Sequence, residues 1–207
     1  MAFSPSASVL TSVFRGERYL ESFFENLSNQ TIFPELEVVL VMNEPSSAET
    51  KSADAFAKAH PEQVNIIQAT KRESLGASWN RSWRASRAPY LSIWNIDDRR
   101  EIDSMQRQLA SLEQNTESAL CYGDYIAVKN YGDTQGERRY TPRYSRAYFQ
   151  RALPQGGAFW LMRRTQVESA GYFDEQFQVA ADMEFSLRLA AKGIRMNRCE
   201  GLLGWFT

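Results

Sequence analysis

Histidine, cysteine and glycine-rich loops are scarce here, and each scarcity excludes a class of function. Among 207 residues there is one histidine and there are two cysteines. The histidine, His60, stands before Pro61 in a helix-to-strand loop and reads as a surface residue, so a His-based catalytic triad is excluded. Cys121 and Cys199 are too few for a disulfide framework and match no zinc spacing. They read as reduced thiols in or near the core, which points to a reducing, cytoplasmic compartment. No apolar stretch approaches the roughly 18 residues a spanning helix needs. The start, Met1 to Pro5, lacks a basic segment followed by an apolar run, so it is not a secretion signal. Neither a P-loop nor a GxGxxG pattern occurs, and there is no nucleophile elbow. A bound nucleotide would therefore have its phosphates held by side chains and a metal. A surplus of positive charge is missing too: 24 Lys and Arg face 25 Asp and Glu, for a net charge of −1. Nucleic acid is thus not an expected partner, because duplex binding needs cations to displace phosphate counterions.

What is present is ordinary globular composition, 43% hydrophobic and 13% aromatic, on a length that suits one large domain. Residues 8–14 form a short β-branched run. Tyr19, Leu20, Phe23, Phe24 and Leu27 then recur at helical spacing, predicting a helix from Glu17 to about Gln30. Residues 36–42 (LEVVLVM) read as a strand buried on both faces. Ser46 or Ser47 caps a helix through Lys58. A third strand over 64–69, a third helix over 74–86 and a fourth strand over 90–94 repeat the rhythm. Strand-helix-strand units of this length imply parallel strands with right-handed crossovers, hence an α/β sheet with helices on both faces. After residue 98 the order changes: a helix over 103–113, a long strand over 119–128, and a turn at 130–133 that predicts an antiparallel return strand. A short strand over 158–162, a turn at 171–174 and a helix over 181–191 finish the reading. The expected architecture is a single domain, with a Rossmann-like nucleotide-binding half (about 8–98) and a mixed, partly antiparallel half (about 99–207). The apolar ending Gly204-Trp205-Phe206-Thr207 reads as a cut end.

Ligands of open α/β sheets collect beyond the carboxyl ends of parallel strands. Thr11 and Phe14, Asn43 and Glu44, and Asn95, Asp97 and Asp98 fall at three such ends. Adjacent carboxylates repel unless water or a cation screens them. Oxygen ligands select hard cations such as Mg²⁺ or Mn²⁺, with substrate phosphates completing the shell. Alone, an Asp-Asp pair is more often a solvated turn capping the next helix; its place at a strand end makes it a site candidate.

Five segments, in order, resemble the inverting glycosyltransferases of family 2, which have the GT-A fold. They are Val9 to Phe14 with Glu17 to Leu20 and Ser28 to Thr31; Val39 to Ser46; Leu75 to Asn80; Asn95-Ile96-Asp97-Asp98; and Ala181 to Gly193 (ADMEFSLRLAAKG). The resemblance spans about Ser8 to Arg198. It implies an enzyme that moves a sugar from a nucleotide-diphosphate donor to an acceptor hydroxyl. Asp98 would hold Mn²⁺ or Mg²⁺ against the diphosphate, with Asp97 on the ribose or the metal's water shell. Thr11, Phe14, Asn43 and Arg72 would line the nucleotide pocket, and Asn80 would support it. Asp182 would be the catalytic base, preferred to Glu184 by the resemblance alone. The chain departs from the pattern where the first metal-motif Asp is Asn95 and the base-binding Asp is Asn43. It also has no histidine near its end.

One local feature lies outside those motifs. Arg138, Arg139, Arg143, Arg146, Arg151, Arg163 and Arg164 crowd one segment, interleaved with Tyr140, Tyr144, Tyr148, Phe149 and Trp160. Guanidinium forks suit anions and aromatic faces stack on sugars. Arg143, Arg146 and Trp160 are thus candidates for binding a saccharide or lipid-linked acceptor, with peripheral contact to the inner face of a membrane. Two other readings compete: a sugar-nucleotide nucleotidyltransferase, against which the single Gly16 in Thr11 to Arg18 argues, and a non-catalytic nucleotide- or carbohydrate-binding module.

Overall fold

The computed structural model describes residues 3–149 and 159–207. Strands β1 (Ala7–Val13), β2 (Leu36–Met42), β3 (Val64–Gln68) and β4 (Tyr90–Ile93) alternate with helices α1 (Glu17–Ser28), α2 (Ser47–Ala59) and α3 (Leu75–Ala85). The four strands pair in parallel in the order β3-β2-β1-β4. Every residue of β1 and β2 is buried, as the apolar runs require of central strands. Leu20, Phe23, Phe24 and Leu27 are the buried stripe of α1. Ser46 and Glu49 form a reciprocal capping box at the start of α2, and the Ser74 hydroxyl caps α3.

The second half extends the same sheet. It comprises β5 (Arg99–Arg100), α4 (Ser104–Gln114), β6 (Ser118–Ala127), β7 (Glu137–Arg139), α5 (Arg146–Phe149), β8 (Leu161–Arg163), α6 (Arg164–Val167), α7 (Ala181–Ala191) and β9 (Arg195–Phe206). Beyond β4 the order runs β8-β6-β9-β5, and β7 pairs with β6. Strand β8 is antiparallel to both β4 and β6, which is where the parallel half gives way to the mixed half. The expected return strand is β7, antiparallel to β6. Of the expected strand over 158–162, Ala158 lies outside the described residues.

Strand β9 was not legible in the sequence. It runs parallel to β6 with register shifts around Gly201 and Leu203, while Gly204 pairs with Tyr125 on one side and Arg100 on the other. A Cβ at Gly204 would lie 2.1 Å from the Arg99 carbonyl oxygen and 2.5 Å from the Phe159 ring. The glycine that breaks the strand pattern is the one that lets β5 approach. The apolar end is therefore part of the sheet.

Two cores flank the sheet. Helices α1, α2 and α4 cover one face through Leu20, Phe23, Leu27, Ala53, Met105 and Leu112. Helices α3 and α7 cover the other through Trp79, Trp83, Phe185 and Leu189. Cys121 and Cys199 are buried free thiols. Among the described residues no helix is long and apolar enough to cross a membrane.

Between the halves sits a buried polar seam. The Arg100 guanidinium donates to Gln108 Oε1 (2.8 Å) and Ser92 Oγ (2.9 Å). Gln108 Nε2 donates to the carbonyls of Phe159 (2.6 Å) and Cys121 (3.2 Å). Removing a buried partner leaves its mates desolvated, at about 1–3 kcal/mol per group. Gln108→Leu, which keeps the volume, should therefore lower unfolding free energy by about 2–3 kcal/mol. The check is a urea midpoint shift at unchanged slope.

Candidate active site

Four loops at the carboxyl ends of β1, β2, β3 and β4 line a cavity of about 590 Å³. Its lining includes Ser12, Phe14, Tyr19, Asn43, Arg72, Glu73, Asn95 and Asp97. A smaller cavity of about 230 Å³ holds Asp182 among Gly76, Trp79, Phe177, Val179 and Phe206. Leu75, Asn95 and Gln178 line both, so the two spaces meet at those side chains.

The loops are held under strain. Among the described residues, the non-glycine positions with left-handed backbone are Arg15 (φ 50°), Glu44 (φ 52°) and Ala180 (φ 65°). Each lies on a segment bordering the site, and such conformations cost about 1–3 kcal/mol each. Buried side chains hold these segments in place. Glu49 accepts from Gly16 N (2.5 Å) and Ser46 N (2.7 Å), joining the first two loops. Gly16 lets Ile96 pack against it, since a Cβ there would fall 1.9 Å from the Ile96 side chain. Asn80 accepts from Phe173 N (2.9 Å) and donates to Phe173 O (2.8 Å) and Glu175 Oε1 (2.9 Å), anchoring the segment that leads to Gln178.

The adjacent carboxylates are turned to different environments. Asp97 lines the larger cavity; burial raises its pKa, with its own backbone N–H and the Arg18 charge pulling it back. Asp98 is buried and lines neither cavity. Its carboxylate accepts from Asn95 Nδ2 (3.2 Å) and Thr207 N (3.1 Å). Burial, then the Asp97 charge, push its pKa well up, opposed by those hydrogen bonds and by Arg100. Asp97 is thus the carboxylate positioned to meet a cation in the cavity. Mg²⁺ and Mn²⁺ suit such a site, because one carboxylate suffices when substrate phosphates supply further oxygens. Among the described residues there is no cluster of three or more His, Cys, Asp or Glu able to hold a metal without substrate.

Phe14 and Arg72 line the cavity as expected, with the Arg72 guanidinium 4.5 Å above the Phe14 ring. Asn43 also lines it, but both amide atoms are engaged: Nδ2 donates to Glu73 O (2.9 Å) and Oδ1 accepts from Glu73 N (3.1 Å). It fixes the loop that carries Arg72. Thr11 lies beneath the floor, its hydroxyl donating to Trp94 O (2.9 Å). Asn80 also stands outside the lining, as a support.

The choice between Asp182 and Glu184 has a geometric basis. Glu184 is bound on both oxygens by Arg188 at 2.7 Å. Asp182 lines the smaller cavity in the first turn of α7, and burial raises its pKa against the backbone N–H groups of Met183 and Asp182.

These features match known proteins. The model of the family described as Glycosyl transferase family 2 matches residues 8–170. The chain belongs to glycosyltransferase family 2. EpsH of Bacillus subtilis (strain 168), assigned as a glycosyltransferase, is 27% identical over 118 residues, which are 57% of this chain and 33% of EpsH. The uncharacterized glycosyltransferase MJ1057 of Methanocaldococcus jannaschii is 21% identical over 207 residues, covering 96% of this chain and 69% of that protein. Among solved structures, S. aureus TarS 1-349 in complex with UDP-GlcNAc superposes with a TM-score of 0.80 at 16% identity, over 98% of this chain and 58% of that TarS 1-349 chain. A mannosyltransferase from Pyrobaculum calidifontis, in complex with GDP-Man and Mn²⁺, gives 0.66 at 16% identity, over 97% and 56%. At these identities the structural likeness establishes the GT-A fold. The chain spans about a third of EpsH, 58% of the TarS 1-349 chain and 36% of the longer TarS chain.

The described arginines of the arginine-rich segment of this family 2 chain line neither cavity. Arg146 donates to the Ala190 and Ala191 carbonyls, closing the end of α7. Arg163 reaches Tyr90 Oη and Leu112 O, and Arg164 reaches Ala88 O and Ser86 Oγ. Arg138 pairs with Asp124, and Arg139 with Glu137. Trp160 is a core side chain beside Phe185. Arg143 is exposed and lines neither cavity, and Arg151 lies outside the described residues. Carbonyls left over at helix ends attract guanidinium donors as strongly as a ligand would, which is why sequence crowding misled here. Conversely, Tyr19 and Gln178 were missed as lining residues. Tyr19 counted only toward the apolar stripe of α1, and Gln178 sits in a segment without periodicity.

Asn80→Ala should strand the Phe173 backbone groups and cost about 2 kcal/mol. Hydrogen exchange in residues 173–180 should accelerate while α2 stays protected; equal protection throughout would contradict the anchoring role.

Proposed function

We propose that this chain transfers a sugar from a nucleoside-diphosphate donor to an acceptor hydroxyl with inversion at the anomeric carbon. The observation that carries this reading is the meeting of two cavities at Asn95 and Gln178, one holding Asp97 and the other Asp182. Family membership, and the nucleotide-sugar complexes of TarS and the Pyrobaculum mannosyltransferase, support it.

The nucleotide lies in the larger cavity against Phe14 and Arg72, with its sugar directed toward the smaller one. Asp97 would hold Mn²⁺ or Mg²⁺, which when bound offsets the negative charge of the departing diphosphate. Asp182 takes the proton of the acceptor hydroxyl. The freed oxygen pair forms the new bond to the anomeric carbon from the face opposite the diphosphate. The old carbon–oxygen bond breaks and its electron pair leaves with the nucleoside diphosphate. Juxtaposing both substrates supplies much of the rate, and the base typically adds about 10²–10⁴-fold. Residues 8–98 serve the donor and residues 99–207 the catalysis. Two buried free thiols support a cytoplasmic setting, peripheral to the membrane where the acceptor is lipid-linked.

Two experiments test this. A thermal-shift screen of UDP-, GDP-, CMP- and dTDP-sugars with and without Mn²⁺ should single out one nucleotide. Its metal-dependent stabilisation should vanish in Asp97→Asn; stabilisation by no sugar nucleotide would refute the donor assignment. Asp182→Asn should then reduce turnover by about 10²–10⁴-fold with donor affinity unchanged. Because Asp182 acts deprotonated and its pKa is raised, wild-type kcat/KM should fall with decreasing pH at a point above the usual aspartate value of about 3.9. An acid limb at or below that value would remove Asp182 from the role.

A further inference from the structure

Most arginines of the described structure are committed to carboxylates or carbonyls. Arg15, Arg18 and Arg72 are exceptions: among the described residues none of them forms an ion pair. Arg15 and Arg72 make their recorded contacts with one ring, Phe14, at 5.1 and 4.5 Å. Arg18 lies over Tyr19 at 4.5 Å, and one of its Nη groups donates to the Tyr19 hydroxyl. Phe14, Tyr19 and Arg72 line the larger cavity, and the exposed Arg15 and Arg18 lie against those two lining rings.

The acids around that space do not balance them. Glu73 is bound by Arg81 at 2.7 Å. Glu49 is used by two backbone N–H groups, and Glu17 accepts from Ser46 Oγ. Asp98 lines neither cavity, and Asn95 is neutral. Asp97 is the carboxylate left facing the cavity, with Glu44 exposed at the edge. Arg15 is also held in left-handed backbone beside Gly16, whose N–H is fixed by Glu49. A strained, pinned loop that projects an unpaired cation is organised for an anion.

We propose that Arg15, Arg18 and Arg72 form a cradle that binds the diphosphate of the donor even without a divalent metal. Each fork can donate to two phosphate oxygens, and a diphosphate offers enough oxygens for all three. The proposal rests on the donor reading above and adds to it a metal-independent component of binding. It also accounts for the chain's tolerance of Asn95 at the metal motif, because charge removed from the carboxylate side is compensated by guanidinium groups.

The test is calorimetric titration of the whole chain with inorganic pyrophosphate in EDTA. Wild type should bind, more weakly as salt is added. Arg15→Gln, Arg18→Gln and Arg72→Gln should each lower affinity by about tenfold or more, as for a charge-assisted hydrogen bond, and the triple variant should show no binding. All three side chains are exposed, so folding is not at risk, and thermal melts would verify it. Arg195→Gln, which removes an equal charge from an exposed site on β9, should leave affinity unchanged. Absence of pyrophosphate binding in EDTA, or equal affinity in the three variants, overturns the cradle, as does an equal loss in Arg195→Gln. If sugar nucleotides stabilise the chain only with Mn²⁺ while pyrophosphate fails, the donor reading stands and the cradle falls. If pyrophosphate binds through these arginines but no sugar nucleotide does, the donor reading falls instead.

Discussion

The fold is organised around one buried charge. Arg100 has 1% of its surface exposed. Taking a guanidinium out of water costs several kcal/mol unless its donors are met, and here burial lowers its pKa only to about 9, with Asp98 opposing the fall. It therefore stays charged at neutral pH, and its surroundings must be polar. Ser92 of β4 and Gln108 of α4 supply acceptors, Trp94 and Phe159 supply ring faces at 5.1 and 5.4 Å, and Asp98 supplies opposite charge. Those residues come from both halves of the sheet. The seam between parallel and antiparallel strands is thus fixed by the electrostatic demands of one side chain, and β5 cannot shift without exposing them.

This seam also explains the unequal roles of the two aspartates. Asp98 is drawn inward, where Arg100, Asn95 and the Thr207 N–H offset its burial. Asp97, one residue earlier, points to the opposite side and lines the cavity. Had both carboxylates faced the cavity, their repulsion would have needed a cation merely to keep the loop folded. With one inward, the loop holds its shape before any ligand arrives. The resemblance puts Asp98 on the metal and Asp97 on the ribose or the metal's water shell; of the two, Asp97 is the one that lines the cavity.

The parallel half was legible because its physics is local. Leu36 to Met42 is apolar throughout, which only a doubly covered strand tolerates, and Leu20, Phe23, Phe24 and Leu27 recur at a helical period. Strand β9 was not legible, because its pairing with β6 is long-range and Gly201 and Gly204 interrupt its pattern to accommodate Arg107 and β5. Site residues divided along the same line. Phe14, Asn43, Arg72 and Asp97, at strand ends or in the loops beyond them, were found as cavity lining. Arg146 and Trp160 were misread because sequence crowding cannot tell a guanidinium that caps Ala190 from one that awaits a substrate, nor a core indole from an exposed one.

The missing glycine-rich phosphate loop gives the last step of the argument. Folds with such a loop present backbone N–H groups to phosphate through glycine's permissive dihedrals. Here the loops bordering the site carry Arg15 and Glu44 in left-handed backbone instead, so the conformations must be enforced from outside. Buried side-chain groups do this: Glu49 on Gly16 and Ser46, Asn43 on Glu73, Asn80 on Phe173, and Asn26 on both backbone groups of Arg100. The consequence is a cavity lined by Phe14, Arg72 and Asp97, on loops whose shape is set by the protein's own hydrogen bonds. Binding then spends little of its free energy on ordering the protein.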